Sequence, residues 1–173
     1  AAFNFEYINE TLTGGSQPRI TSYFSNSPLA MEPGPANAEV AEMLAPFKDI
    51  LPEGTIQGYA LPVSDGSARN RAGIRAAMQA LEDAGFTAQD GTMRNNAGKP
   101  LSFAILLSKG STENMAIAEL YIQALKRLGI EATVDAVDDA QFVARNNEFD
   151  FDMAIFRRAL SLSPGNEQRY YWG

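Results

Sequence analysis

From Leu101 onward the chain alternates strand, helix and strand, and that alternation leaves few folds open. Leu101 to Leu107 is a short apolar run. Thr112 then caps a segment that sets Ile117, Tyr121, Ala124, Leu125 and Leu128 on one helical face, and Gly129 stops it. Ile130 to Val137 alternates as a second strand, Asp138 or Asp139 caps a short helix bearing Phe142 and Val143, and Phe149 to Phe156 reads as a third strand. Strands joined by helical crossovers pair in parallel with right-handed connections, so the run predicts a β-α-β-α-β core of an α/β fold. Ligands of such sheets sit outside the carboxyl ends of the strands. Here that end runs into Arg157 and Arg158, and then into the polar turn from Ser161 to Gln168 around Pro164-Gly165.

Upstream the pattern is looser. Phe3, Tyr7 and Ile8 stand at helical spacing and stop at Gly14-Gly15. A helix running from residue 1 has no cap, so it reads as cut through and the chain as excised from something longer. Residues 15–35 carry Pro18, Pro28, Pro33 and Pro35 among Ser, Asn and Thr, which predicts a long loop, with Tyr23 and Phe24 expected to pack and order it. Asn37 caps a helix whose stripe of Val40, Met43, Leu44 and Phe47 is wide enough to cover part of a core. After an irregular stretch over 54–66, Asn70 caps a helix with Ile74, Met78 and Leu81 on one face, ended by Gly85. Asp90-Gly91 and Ala97-Gly98 mark a small hairpin between Phe86 and Gly98, whose place in the fold the pattern does not give.

Composition removes more chemistry than any motif adds. The 173 residues contain no histidine and no cysteine, which excludes Ser-His-Asp and Cys-His machinery, thiolate nucleophiles and ordinary zinc sites. A net charge of −7 without a basic block argues against nucleic acid and anionic membranes as partners, because attraction to phosphate supplies non-specific binding. Gly98-Lys99 lacks the glycine spacing and the hydroxyl residue of a phosphate loop, and Asp138-Asp139 lacks the remaining ligands of a calcium loop. No cofactor and no metal are expected, and the length suits a single domain spanning residues 1–173.

Three groups of residues are candidates for chemistry. Asp150 and Asp152, two apart on the expected third strand, share a face and would serve a carboxylate-based hydrolase, although an acid pair at the wet end of a strand is the commoner arrangement. Arg157 and Arg158 alternate across the sheet, so one of them can offer a bidentate guanidinium to a carboxylate while the other pairs structurally. Ser161, Ser163 and Asn166 supply short polar groups on the turn. Tyr170, Tyr171 and Trp172 are expected to pack on the protein; an exposed aromatic patch would instead suit an interaction module that dimerises.

Several stretches together resemble the family 5 extracellular solute-binding proteins, the oligopeptide- and dipeptide-binding components of bacterial ABC importers. Ala2-Phe3-Asn4-Phe5-Glu6-Tyr7-Ile8-Asn9 and Thr21-Ser22-Tyr23-Phe24-Ser25-Asn26-Ser27-Pro28-Leu29-Ala30 look like a helix and loop of that family. Leu81-Glu82-Asp83-Ala84-Gly85-Phe86 and Leu125-Lys126-Arg127-Leu128-Gly129-Ile130 are similar to two of its helix ends. Phe149-Asp150-Phe151-Asp152-Met153, with Ser161 to Gln168, is the most specific part and resembles the branch that includes murein-peptide and microcin C binders.

The resemblance implies a periplasmic-binding-protein-like α/β lobe with a βαβαβ core and long irregular N-terminal loops. It implies an excised C-terminal lobe of a two-lobed, exported periplasmic protein without catalysis. The partners would be a peptide or other small solute, the first lobe of its own full-length chain, and an ABC permease in the inner membrane. By the same resemblance the loop around Arg19 and Tyr23, and the segment holding Arg157, Arg158, Ser161, Ser163 and Asn166, face the cleft. Many relatives carry an Asp soon after the third strand that is implied to receive a peptide's amino terminus, whereas residues 157–165 here contain no acid.

Overall fold

The computed structural model describes residues 1–25, 27–52, 54–58, 60–157 and 162–172, without the side chains of Tyr171 and Trp172. In chain order the elements are α1 (Phe5–Thr13), α2 (Ala38–Leu44), a 3-10 turn (Ala45–Phe47) and α3 (Arg71–Asp83), then the strands β1 (Thr87–Gln89), β2 (Thr92–Arg94) and β3 (Ser102–Ser108). They continue with α4 (Thr112–Lys126), β4 (Glu131–Val137), α5 (Asp139–Asn147), β5 (Met153–Ala154) and α6 (Glu167–Trp172). Two compact units divide them: Ala1–Gln17 with Pro62–Arg157, and Pro18–Leu61 with Arg158–Gly173.

The first unit is organised on β3. Its run Phe103-Ala-Ile-Leu-Leu107 is apolar at every position, as a strand covered on both faces must be. The sheet order β4-β3-β5 puts β3 in the centre, parallel to both neighbours, with Leu106 opposite Asp135 on one side and Ala154 on the other. Ile105 and Leu107 pack with Ala118 of α4, while α5 lies against the opposite face. Burial of each such side chain contributes about 1.5–3 kcal/mol.

A second cluster forms where the hairpin β1-β2 closes on the end of α4. Met93 is fully buried beside Leu125, Leu128, Ile130 and Ala132, with Ile74, Met78 and Leu81 of α3 packed against them. The Met93 amide donates to the Gly129 carbonyl at 2.7 Å, and the Leu101 amide donates to the Met93 carbonyl at 2.8 Å, so the hairpin is stitched to the strand that follows it. Gly129 has φ +73°, and a Cβ there would lie 2.7 Å from the Gly91 carbonyl oxygen and 2.8 Å from the Met93 nitrogen. Only glycine meets both demands without strain.

Four expectations need correction. The first helix is capped, because it starts at Phe5 and the buried Asn4 accepts the Tyr7 amide through Oδ1 at 3.2 Å. The same asparagine donates from Nδ2 to the Ser67 carbonyl at 2.8 Å and accepts from Ser64 Oγ at 2.5 Å, so its burial leaves nothing unsatisfied. Thr112 is the first helical residue of α4 and not its cap, a position held by Ser111 without a side-chain bond. The third strand spans only Met153–Ala154. Phe149 takes φ +56°, and the Asp150 amide donates back to the Arg145 carbonyl at 2.9 Å, so this stretch is the exit turn of α5.

The fourth correction concerns the second unit. Asn37 caps α2 as expected, accepting the Val40 amide at 2.9 Å, yet none of Val40, Met43 and Phe47 is buried. The loop before it is held by serine turns: Ser25 Oγ donates to the Ser22 carbonyl at 2.8 Å, and the Met31 amide donates to Ser22 Oγ at 3.0 Å. Gly58 packs so closely on Gly34 that a Cβ would come within 2.5 Å of the Gly34 carbonyl oxygen. Among the described residues no helix is long and apolar enough to cross a membrane.

Candidate functional site

In a parallel sheet the carboxyl ends of the strands and the amino ends of the crossover helices share one edge, where backbone donors and loop side chains converge. In the first unit β3 ends at Ser108, β4 at Val137 and β5 at Ala154, while α4 and α5 begin at Thr112 and Asp139. The Lys109 amide donates to the Val137 carbonyl at 2.8 Å, tying two strand ends together. Ser108 Oγ donates to Asp139 Oδ1, and the Gly110 amide donates to Ser108 Oγ at 3.2 Å.

Arg157 reaches this edge three residues beyond β5. Its Nη2 lies 3.0 Å from Glu113 Oε2 and donates to Asn114 Oδ1 at 3.1 Å, both partners in the first turn of α4. The Arg157 and Glu113 side chains are 62% and 50% exposed, so the ion pair is worth at most about 1 kcal/mol and exchanges readily for another carboxylate. Glu113, Asn114, Ser108 and Asp139 are additions to the residues anticipated from the sequence. A helix's first turn at a sheet's carboxyl edge was the signal that could have found them.

The remaining anticipated residues fall elsewhere. Arg19, Tyr23, Ser163 and Asn166 belong to the second unit, and Arg158 and Ser161 lie outside the described residues. Arg19 and Tyr23 are half-buried, with the Tyr23 ring edge-on to Phe24 at 4.8 Å and 76°, so the two aromatics do order their loop. Ser163 and Asn166 are exposed, Asn166 directly before α6. Tyr170 is 85% exposed, against the expectation that it packs, and the side chains of Tyr171 and Trp172 lie outside the description.

Asp150 and Asp152 do not form a working acid pair. They precede β5, at the opposite edge of the sheet from Arg157, in the turn described above. Asp150 Oδ2 accepts from Arg145 Nε at 2.8 Å, and Arg145 Nη1 bridges on to Asp135 Oδ2 at 2.6 Å. The hydrogen bond with Asp135 raises the Arg145 pKa; burial opposes the shift, and the hydrogen bond and charge of Asp150 add to it. Asp152 Oδ2 accepts the Ala104 amide at 2.9 Å, anchoring the β5 entry to the central strand. A cleft of about 370 Å³ opens there, lined by Ala104, Leu106, Asp135, Arg145 and the turn. Among the described residues no group of three potential ligands could hold a metal ion.

The whole chain, residues 1–173, matches the family model for bacterial extracellular solute-binding proteins, family 5, middle region. It is 40% identical over 172 residues to a protein of Brucella melitensis biotype 1 named only as a binding protein, covering 99% of this chain and 28% of that one. In Agrobacterium fabrum it is 35% identical to the peptidoglycan-binding protein YepA and 38% identical to YejA, a probable peptide-binding protein, covering 99% of this chain and 28% of each relative. The chain therefore spans a little over a quarter of the length of the relatives it matches. Among solved structures, the oligopeptide-binding protein AppA of Bacillus subtilis in complex with a nonapeptide superposes with a TM-score of 0.62 at 22% identity, over 96% of this chain and 28% of that one. A periplasmic oligopeptide-binding protein of Thermotoga maritima gives 0.58 at 19% identity, over 94% and 26%. The periplasmic-binding-protein-like α/β fold is common to all three.

Proposed function

This chain belongs to the bacterial extracellular solute-binding proteins of family 5, and we propose that it is the ligand-facing C-terminal lobe of a longer, two-lobed periplasmic peptide-binding protein. The complete protein would hold a peptide between its lobes and pass it to a membrane permease of the ABC class. The family is one of binding proteins, in keeping with a chain in which the two candidate acids are each tied to a structural partner.

The observation that carries the reading is Arg157. It stands at the carboxyl edge of a parallel sheet, where ligands of such sheets bind, with a guanidinium held only by exposed partners. The resemblance places an acid for the peptide's amino terminus in the following segment, whereas residues 157–165 hold two arginines and no acid. The polarity of recognition at this position is thereby reversed, and the group received is the peptide's carboxylate. Arg19 and Tyr23, on the ordered loop of the second unit, and Ser163 and Asn166, on the turn before α6, are proposed as further ligand contacts.

The test compares free-acid and C-terminally amidated forms of one short peptide on the complete protein, with and without Arg157→Gln. Charge-assisted hydrogen bonds are worth about 1.5–3 kcal/mol, so the free acid should bind roughly tenfold to a hundredfold more tightly than the amide. That preference should vanish in the variant. Equal affinity for acid and amide in the unsubstituted protein rejects the role given to Arg157.

A further inference from the structure

Four arginines converge at the far end of α4 from Arg157. Arg69, Arg71, Arg75 and Arg127, with Ile74 between them, line a cleft of about 520 Å³ in the first unit. Arg127 caps the C-terminus of α4, whereas Glu113 and Asn114, which hold Arg157, lie in its first turn. At 1.5 Å per residue the two places are roughly 21 Å apart along the helix. The cleft is thus separate from the site discussed above.

The arrangement costs stability as it stands. The chain has 21 acidic residues against 14 basic ones, so carboxylates are plentiful, yet among the described residues none pairs with Arg69, Arg71 or Arg75. Arg71 is the first residue of α3, where the helix dipole disfavours a cation. Arg71 and Arg75 are four apart on that helix, a spacing at which like charges repel. Arg127 is held in place by its own Nη1, which donates to the Ala68 carbonyl at 2.9 Å and the Arg69 carbonyl at 3.1 Å. That bond ties the end of α4 to the segment entering α3 and keeps the four side chains together. One bound anion would relieve all of these repulsions at once.

We propose that this cleft binds a small multivalent oxyanion of the phosphate class. Guanidinium forks match phosphate geometry bidentately, and several of them meeting on one concave surface select for more than one negative charge. The cleft volume falls within the usual range for small-molecule pockets, which admits a diphosphate or phosphate ester in preference to a single small ion.

The experiment titrates pyrophosphate into the chain, following the thermal midpoint and the heat of binding, with sodium chloride at matched ionic strength as control. The comparison proteins are an Arg71→Gln/Arg75→Gln double variant and Arg75→Lys, which keeps the charge and loses the fork. Pyrophosphate should raise the midpoint of the unsubstituted chain where chloride does not, and it should bind Arg75→Lys roughly tenfold or more weakly. The double variant should respond to neither salt and, free of the like-charge pair, should melt no lower than the unsubstituted chain in the absence of ligand. Equal responses from all three proteins, reproduction of the effect by chloride, or binding only to phosphatidylglycerol vesicles and not to pyrophosphate would each overturn the assignment.

Discussion

Two methionines of this chain offer a direct test of how the hairpin is used. Met93 is fully buried, locked between the end of α4 and the start of β4, whereas Met43 of the second unit is 66% exposed. Truncating a buried methionine to alanine costs about 2–5 kcal/mol, because the transfer energy of the lost atoms is compounded by the cavity they leave. Met93 contacts residues from α4 and β4 as well as its own hairpin, so the site cannot collapse by moving one element, and the cost belongs in the upper half of that range. For a chain of this length about 1 kcal/mol lowers the melting midpoint by roughly 2–4 °C, so Met93→Ala should lose on the order of 10 °C. Met43→Ala should stay within about 0.5 kcal/mol of the unsubstituted chain. Circular dichroism melts, with urea titrations to supply free energies, measure both. If Met93→Ala costs no more than Met43→Ala, the hairpin is peripheral and the second core cluster is wrongly drawn.

Gly129→Ala forces a side chain into a left-handed conformation, at about 1–2 kcal/mol, and also against the backbone of Gly91 and Met93, so urea unfolding should show a loss above about 2 kcal/mol; a neutral result contradicts that close approach. Asp65 accepts hydrogen bonds from Ser67, led by the side chain and followed by the backbone amide, which lower its pKa. A depressed carboxylate stabilises the fold above the unfolded range near about pH 4 and loses that contribution as pH falls through the folded value. The melting-point advantage of the native sequence over Asp65→Asn should therefore be largest near neutrality and shrink toward about pH 2, and a gap constant with pH would contradict the assignment.

The parts of the fold visible in the sequence are those set by local pattern. The unbroken apolar run of β3, the stripe of α4, the caps Asn37, Asn70 and Asp138 and the turn at Asp90-Gly91 all appear where propensity and periodicity place them. Asn4 was equally legible, since an asparagine before an apolar-periodic segment is a cap signal, but starting the helix at residue 1 hid it. The aromatic content of Phe149-Asp-Phe-Asp-Met153 suggests a strand, and the positive φ of Phe149 together with the bond from Asp150 back to α5 prevails over that propensity. The stripe on α2 shows the opposite failure, a good apolar pattern with no core beneath it.

The site was less visible, for reasons of chain separation. Arg157 could be placed at the carboxyl edge from the strand order alone, but its partners Glu113 and Asn114 lie more than forty positions upstream with no local mark. The arginine cleft has the same origin, because Arg127 joins Arg69 and Arg71 only through the packing of α4 beside the entry to α3. Asp150 and Asp152 were conspicuous by spacing, and each is spent on holding the first turn of β5 in place.

The central claim, one lobe of a two-lobed peptide clamp, is tested most directly by calorimetric titration of a short-peptide library against both this chain and the complete protein. A micromolar complex is held by about −8 kcal/mol and a millimolar one by about −4, and a single lobe offers part of the contacts and no closure. The account predicts micromolar or tighter binding by the complete protein and roughly millimolar or weaker binding by the chain alone. Submicromolar binding by the isolated chain, or silence from the complete protein, would contradict it.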